Sequence, residues 1–265
     1  MTVRFGPLLA LALISAPRLA PLGAQAPTHQ FGAAWLSATG GADRVTNDFG
    51  NWAGFGLRGA VPAGDRDLML FETRWQEAFH DRGVYGSIAN RHAFGPRWFT
   101  TVSVGGGTGR FYFPDLRLDA SLHRKWGASQ RFISSVGVTY VRSKGVYRDV
   151  AAFGSVAGYF DNGVFEFGGR VNWSDPGARA SARGFVALTL GRFRSRWLTL
   201  RGEGGEESYQ LIGPGQAIQS FSSQSASAEF EQWLSRGWSA RAGAEWYHNP
   251  FYQRTGGRLG LTRYW

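Results

Sequence analysis

Arg201 and Glu203, Glu229 and Glu231, and Arg241 and Glu245 stand two or four residues apart. In an extended chain an even spacing places both members of each couple on one face. If the three segments are neighbours, opposite charges meet across the ladder. Arg117 with Asp119, and Glu166 with Arg170, repeat the pattern upstream. Charges held in an enclosed space must be paired or wet. Two chemistries follow for these ten residues. One is a charged constriction that selects small solutes. The other is an Arg/Glu network that fills and stiffens a closed interior.

Hydrolytic chemistry needs a Ser activated by a His that an acid orients. His80-Asp81 and His248 are the starting points, and neither has a Ser at a fitting spacing. His29, His92 and His123 read as tail or rim residues. No catalytic residue is assigned. The run Gly105-Gly106-Gly107-Thr108-Gly109 lacks the Lys and the helix of a phosphate loop; it reads as a place where a strand bends. Asp43, Asp48 and the acids at 203–207 lack the ligand spacing of a cation loop. No metal and no cofactor is expected.

The elements that must position these charges are strands. In 115–126, Leu116, Leu118, Ala120, Leu122 and Trp126 alternate with Arg117, Asp119, Ser121 and His123, Arg124 being the exception. In 163–174, Phe165, Phe167, Val171 and Trp173 oppose Glu166, Arg170 and Asn172; 225–234 and 237–248 repeat the scheme. Strict alternation marks a segment with one apolar and one polar face. The length of each suits a tilted strand crossing a bilayer. Fourteen strands are read, the first at 30–38, with twelve as the alternative because 185–190 and 150–160 alternate poorly. A soluble sandwich would share the alternation but turn the apolar face inward.

The start of the chain reads as an export signal over 1–24, cut near Ala24–Ala26: Arg4, an apolar run from Leu8 to Ile14, then small residues. The remainder, 27–265, reads as one barrel domain. Cysteine is absent, so disulfides contribute no stability. Mean hydropathy is −0.25, too polar for a helical membrane protein but suited to a barrel with every second residue turned inward. The formal charge of +10 is spread along the chain with no Lys/Arg block, which argues against nucleic acid. Arginines at barrel rims would meet lipid phosphates and lipopolysaccharide.

Trp265 ends an alternating strand, with Leu259 and Leu261 on its face, as in outer-membrane barrels; Arg263 departs from that signature. Counting back from a periplasmic Trp265, the connections 249–254, 210–221, 175–180, 143–146, 108–114, 80–83 and 39–48 fall outside and shorter turns inside, 80–83 being short for its side. Trp98, Trp126, Trp197, Trp233, Trp238 and Trp265 then gather at one membrane interface. Trp52, Trp75, Trp173 and Trp246 gather at the other, as aromatic belts do. Trp98, Trp126, Trp173, Trp238, Trp246 and Trp265 are the chosen interfacial set.

Asn51-Trp52 opens a strand, Phe113-Pro114 precedes 115–126, and Val146-Tyr147-Arg148 leads into a long strand over 147–161. The 163–174 strand and Arg258-Leu259-Gly260-Leu261 complete the pattern. On these residues the chain resembles the YaiO family of outer-membrane β-barrels from about Trp52 to Trp265. The resemblance implies an outer-membrane barrel of a Gram-negative envelope and supplies no catalytic residues. Some members look associated with surface-polysaccharide systems. The expectation is therefore an all-β, closed antiparallel up-and-down transmembrane barrel. It would be monomeric, assembled with periplasmic chaperones and the barrel-assembly machinery. It would act as a porin-like narrow channel for small polar or anionic solutes, or as a closed envelope protein. A lipid-modifying enzyme is the third reading. Whether 210–221 folds inward as a plug stays open.

Overall fold

A computed structural model describes residues 9–10, 34–47, 49–110, 112–177, 179–212 and 218–265. Fourteen antiparallel strands close into one barrel. They are β1 (Trp35–Val45), β2 (Trp52–Pro62), β3 (Asp67–Ala78), β4 (Asp81–Ala93), β5 (Trp98–Gly107), β6 (Leu116–Trp126), β7 (Phe132–Arg142), β8 (Arg148–Phe160), β9 (Gly163–Asp175), β10 (Arg179–Arg192), β11 (Arg196–Ile212), β12 (Ile218–Ser235), β13 (Trp238–His248) and β14 (Gln253–Tyr264). Each strand pairs with the next, and β14 returns to β1 from Arg254 opposite Val45 to Tyr264 opposite Trp35. Closure leaves no unpaired edge among these strands, which a bilayer demands of any sheet. The expected export signal lies outside the described residues, apart from Leu9–Ala10, which pairs with Leu211 and Ile212 of β11.

The solvent question that alternation leaves open is answered by side-chain exposure. Phe55, Ile88, Val102, Val136, Val138, Phe167, Val186, Leu200 and Leu259 all point outward and are exposed. Ser37, Arg91, Arg117, Glu166, Asn172, Ser225, Glu231 and Thr262 point inward and are buried. A continuous apolar outer belt around a polar interior is stable only where hydrocarbon surrounds it.

Several boundaries differ from the sequence reading. Fourteen strands form, not twelve. The poor alternation at 185–190 arises because Phe185 faces inward, where the Arg201 guanidinium lies 3.8 Å from its ring centroid. The first strand is Trp35–Val45 rather than 30–38, so most of 39–48 is strand. Asp43 looks like a loop acid in sequence but sits buried and ion-paired inside. The 210–221 connection shrinks because β11 and β12 run on to Ile212 and Ile218; the remaining 213–217 lies outside the described residues. The connection near 80 is a two-residue turn, Phe79-His80, with both residues left-handed at φ 54° and 59°. That is the backbone a tight hairpin needs. The contrast in connection length is also weaker than expected. It rests mainly on 46–51 and 108–115, which share one rim.

Candidate functional site

The inward charges gather in layers. On β6, Arg117 donates Nε and Nη2 to both carboxylate oxygens of Asp119, at 2.8 and 2.7 Å. Asp119 also accepts from Ser103 and Thr139. On β11, Arg201 donates to Glu203 at 2.6 Å. Glu203 is shared with Arg183 of β10, which also pairs with Glu207. Arg241 on β13 bridges Glu229 at 3.4 Å and Glu231 at 2.9 Å, both on β12. Glu231 is fully buried and accepts from Ser239 and Tyr264 as well. Glu245 accepts from Arg254 at 2.5 Å. Glu166 is buried near Arg201. Arg170 lies opposite Arg183 with no ion pair among the described residues.

All ten charges singled out in the sequence thus face the interior, and Arg241 meets Glu229 and Glu231 across the ladder as expected, but other partners differ. Arg201 pairs along its own strand, not with Glu229 or Glu231 across the ladder; residue 201 lies opposite Ser227. Arg58, Glu72, Arg74, Arg183, Arg254 and Arg258 were not singled out as inward charges, and Asp43 and Glu207 were weighed only as acids of a cation loop. The alternation of Glu72, Arg74 and Gln76 with Phe71, Thr73 and Trp75 was the signal for the β3 group.

Between these layers lies a cavity of about 290 Å³. Its polar lining includes Asp43, Arg58, Glu72, Arg74, Arg241 and Arg258. The space exists because Gly41, Gly54, Gly56, Gly243 and Gly260 occupy inward positions on β1, β2, β13 and β14.

An aromatic cap closes the barrel at the rim bearing 46–51 and 108–115. Phe49, Trp52, Phe79, Tyr112, Phe113 and Tyr252 are buried against one another there. Trp52 and Phe79 rings lie 4.7 Å apart, and Phe113 stacks on Tyr85 at 5.8 Å. Arg254 supports the cap from below, 4.5 Å from the Trp52 ring. Burial pushes the Tyr112 phenol above its ordinary value and the Tyr252 phenol well above.

Asp81 latches the inward-folded loop: its carboxylate accepts backbone N–H groups of Arg82 and Arg110 at 2.9 Å and of Tyr112 at 3.3 Å. The glycine run makes room for it. A Cβ at Gly107 would lie 2.6 Å from Phe113 Cβ, so bulk there would expel the loop. The bend expected at this run is thus better described as clearance for Tyr85 and Phe113.

Trp98, Trp126, Trp173, Trp238 and Trp265 are exposed on the outer wall, and Trp246 lies there half-buried beside His248. Trp52, Trp197 and Trp233 do not join such belts. Trp52 is buried in the cap, and Trp233 is buried at the opposite rim, packed with Phe193, the half-buried Trp197 and Tyr264. Position along a strand was legible in sequence, but these three occupy inward parities. His123 stacks on Phe99 at 4.4 Å, between the hydroxyls of Ser121 and Ser135.

The profile of the YaiO membrane beta barrel domain matches residues 35–210. No protein of curated function matches the sequence. Among solved structures, the barrel is similar to the CymD monoaromatic hydrocarbon channel, with a TM-score of 0.62, 7% identity and 88% of each chain covered. It is also similar to the outer membrane protein Omp33 of Acinetobacter baumannii, with a TM-score of 0.52, 10% identity, and 88% of this chain and 99% of that one covered. A bacterial polysaccharide outer membrane secretin gives 0.51 at 9% identity, with 87% and 97% covered. At these identities the likeness is one of fold.

Proposed function

The chain belongs to the YaiO membrane β-barrel domain family, and from that premise we propose that it serves in the bacterial outer membrane as a narrow, capped passage for small polar or anionic solutes. The observation that carries this reading is the charged cavity beneath the aromatic cap. A purely structural barrel has no need of a glycine-lined void among desolvated arginines. Capping by loops and a turn, rather than by the strands themselves, leaves a closure that can move without breaking the barrel. In this reading the cap rim faces outward, the apolar belt meets lipid, and exposed rim residues such as Arg44, Arg82 and Arg148 meet lipid phosphates or lipopolysaccharide. The protein acts as a monomer inserted by the barrel-assembly machinery.

Planar-bilayer recording tests the passage. Wild-type protein should give small or rare conductance steps, and a Phe79→Asn/Phe113→Ala variant larger and more frequent ones. Silence from both would leave a closed envelope barrel, a reading favoured by the dense Arg183–Glu203–Glu207 and Arg241–Glu231 networks.

No lipid-modifying activity is proposed. Asp81 beside His80 is engaged by three backbone N–H groups, and His123 has a hydroxyl rather than a carboxylate at each ring nitrogen. A Ser-His pair without an orienting acid lacks the arrangement that activates the nucleophile. Lipid A and phospholipid masses should be unchanged when the protein is expressed.

A further inference from the structure

Arg58 on β2 and Arg74 on β3 differ from the other guanidinium groups lining the cavity. Arg241, Arg254 and Arg258 are each ion-paired, with Glu229 and Glu231, with Glu245, and with Asp43. Arg58 and Arg74 have no ion-pair partner among the described residues, and Arg74 Nε and Nη2 are buried with no hydrogen-bond partner. Each guanidinium is instead held against an aromatic face. Arg58 lies 5.9 Å from the Trp35 ring centroid and Arg74 lies 5.3 Å from that of Phe113. A cation over a ring is steadied by the ring's quadrupole, while its N–H donors stay available.

Glu72 sits directly opposite Arg58 in register and two residues before Arg74, yet it bridges to neither. Glu229, Glu72 and Glu231 attract Arg58 through space without bridging to it, so neither guanidinium has a direct carboxylate acceptor among the described residues. Gly56, opposite Arg74 in the ladder, removes the side chain that would otherwise fill the intervening space. A desolvated guanidinium without an acceptor is costly, and a carboxylate matches its fork with two parallel hydrogen bonds.

We propose that the cavity binds a small monocarboxylate, held by Arg74 and Arg58 beneath the cap. The bound carboxylate supplies the acceptor that the buried Arg74 N–H groups lack, and a cavity of about 290 Å³ limits the ligand to a small acid. Tyr112, on the folded-in loop, lines the same space, so the cap forms the roof of the site. This inference deepens the passage reading and rests on it for the route by which the anion arrives.

Isothermal titration calorimetry on full-length protein in detergent tests it, with benzoate as probe, benzyl alcohol as its neutral counterpart, and inorganic phosphate as the alternative anion. Benzoate should bind one to one. Arg58→Gln and Arg74→Gln should each weaken binding at least tenfold, and Arg44→Gln on the outer wall should not. Arg74→Lys keeps the charge and the fold but lacks the fork, and should lose affinity several-fold. Equal binding of benzyl alcohol, preference for phosphate, or unchanged benzoate affinity in both Gln variants would overturn the site. Parallel bilayer recording of the cap-opened variant separates the two readings. Benzoate binding without conductance would sink the passage and leave the site standing, whereas conductance without binding would sink the site alone.

Discussion

Asp43 on β1 and Arg258 on β14 meet through two hydrogen bonds, at 3.2 and 3.3 Å, on the inner side of the seam where the barrel closes. Arg254 approaches the same carboxylate at 3.9 Å, and Thr262 donates to Ser37 at 3.0 Å nearer the other rim. Closure of a barrel joins strands far apart in sequence, so it is the pairing with the largest entropic cost. Side-chain bonds across that seam add to the backbone ladder and help set its register.

Asp43→Asn removes the charge while keeping the size. Asp43 is 5% exposed at its side chain and Arg254 is 6%. Leaving the arginine partly uncompensated should cost about 3 kcal/mol. The measurement is the temperature at which the folded form is lost in heat-modified gel mobility, and a midpoint equal to wild type would remove the seam from the account of stability.

Arg241→Met should be more damaging than its partner's neutralisation. It leaves Glu231 buried with only Ser239 and Tyr264 as donors, at a cost of about 3–5 kcal/mol. Adding Glu231→Gln should recover most of that loss in a double-mutant cycle of unfolding free energies. Additive losses would mean that the two side chains do not act as a pair.

Phe79→Asn separates the cap from the turn that carries it. Asn tolerates the left-handed backbone at φ 54°, whereas the buried ring touching Phe49, Trp52, Tyr112 and Tyr252 is lost. Folding should survive and unitary conductance should rise several-fold; a channel record indistinguishable from wild type would show that the cap is not the shutter.

Asp81→Ala should release the loop at 108–115. Two loop N–H groups, those of Arg110 and Tyr112, lose their acceptor. The loss of roughly 1.4 kcal/mol corresponds to about tenfold more frequent opening. Trypsin cleavage after the exposed Arg110 reports it directly.

Alkaline pH should loosen the cap late. With the Tyr112 and Tyr252 phenols raised by burial, their contribution to stability is intact below the usual phenol pKa of about 10. It falls as pH rises from there toward their folded-state values, because only the unfolded chain ionises readily. Ultraviolet titration should show Tyr112 and Tyr252 among the tyrosines that lag behind the exposed ones, and Tyr252→Phe should reduce that late amplitude by one tyrosine.

Period-two alternation, turn chemistry and tryptophan spacing determined the class of fold, a count near fourteen strands and the shared face of charges such as Arg117, Glu231 and Arg241, while barrel closure decided that this face turns inward. The former depend on neighbours two residues away along one strand, which a sequence displays openly. What pairs with what was decided only in three dimensions. Asp43 reads as a loop acid until β14 arrives beside β1, and Arg201 turns to Glu203 because residue 201 lies opposite Ser227. The cap draws Phe49, Phe79, Tyr112 and Tyr252 from four separate connections. No periodicity links them; they meet because a closed barrel brings those connections to a single rim, where burying their rings excludes water from one shared space.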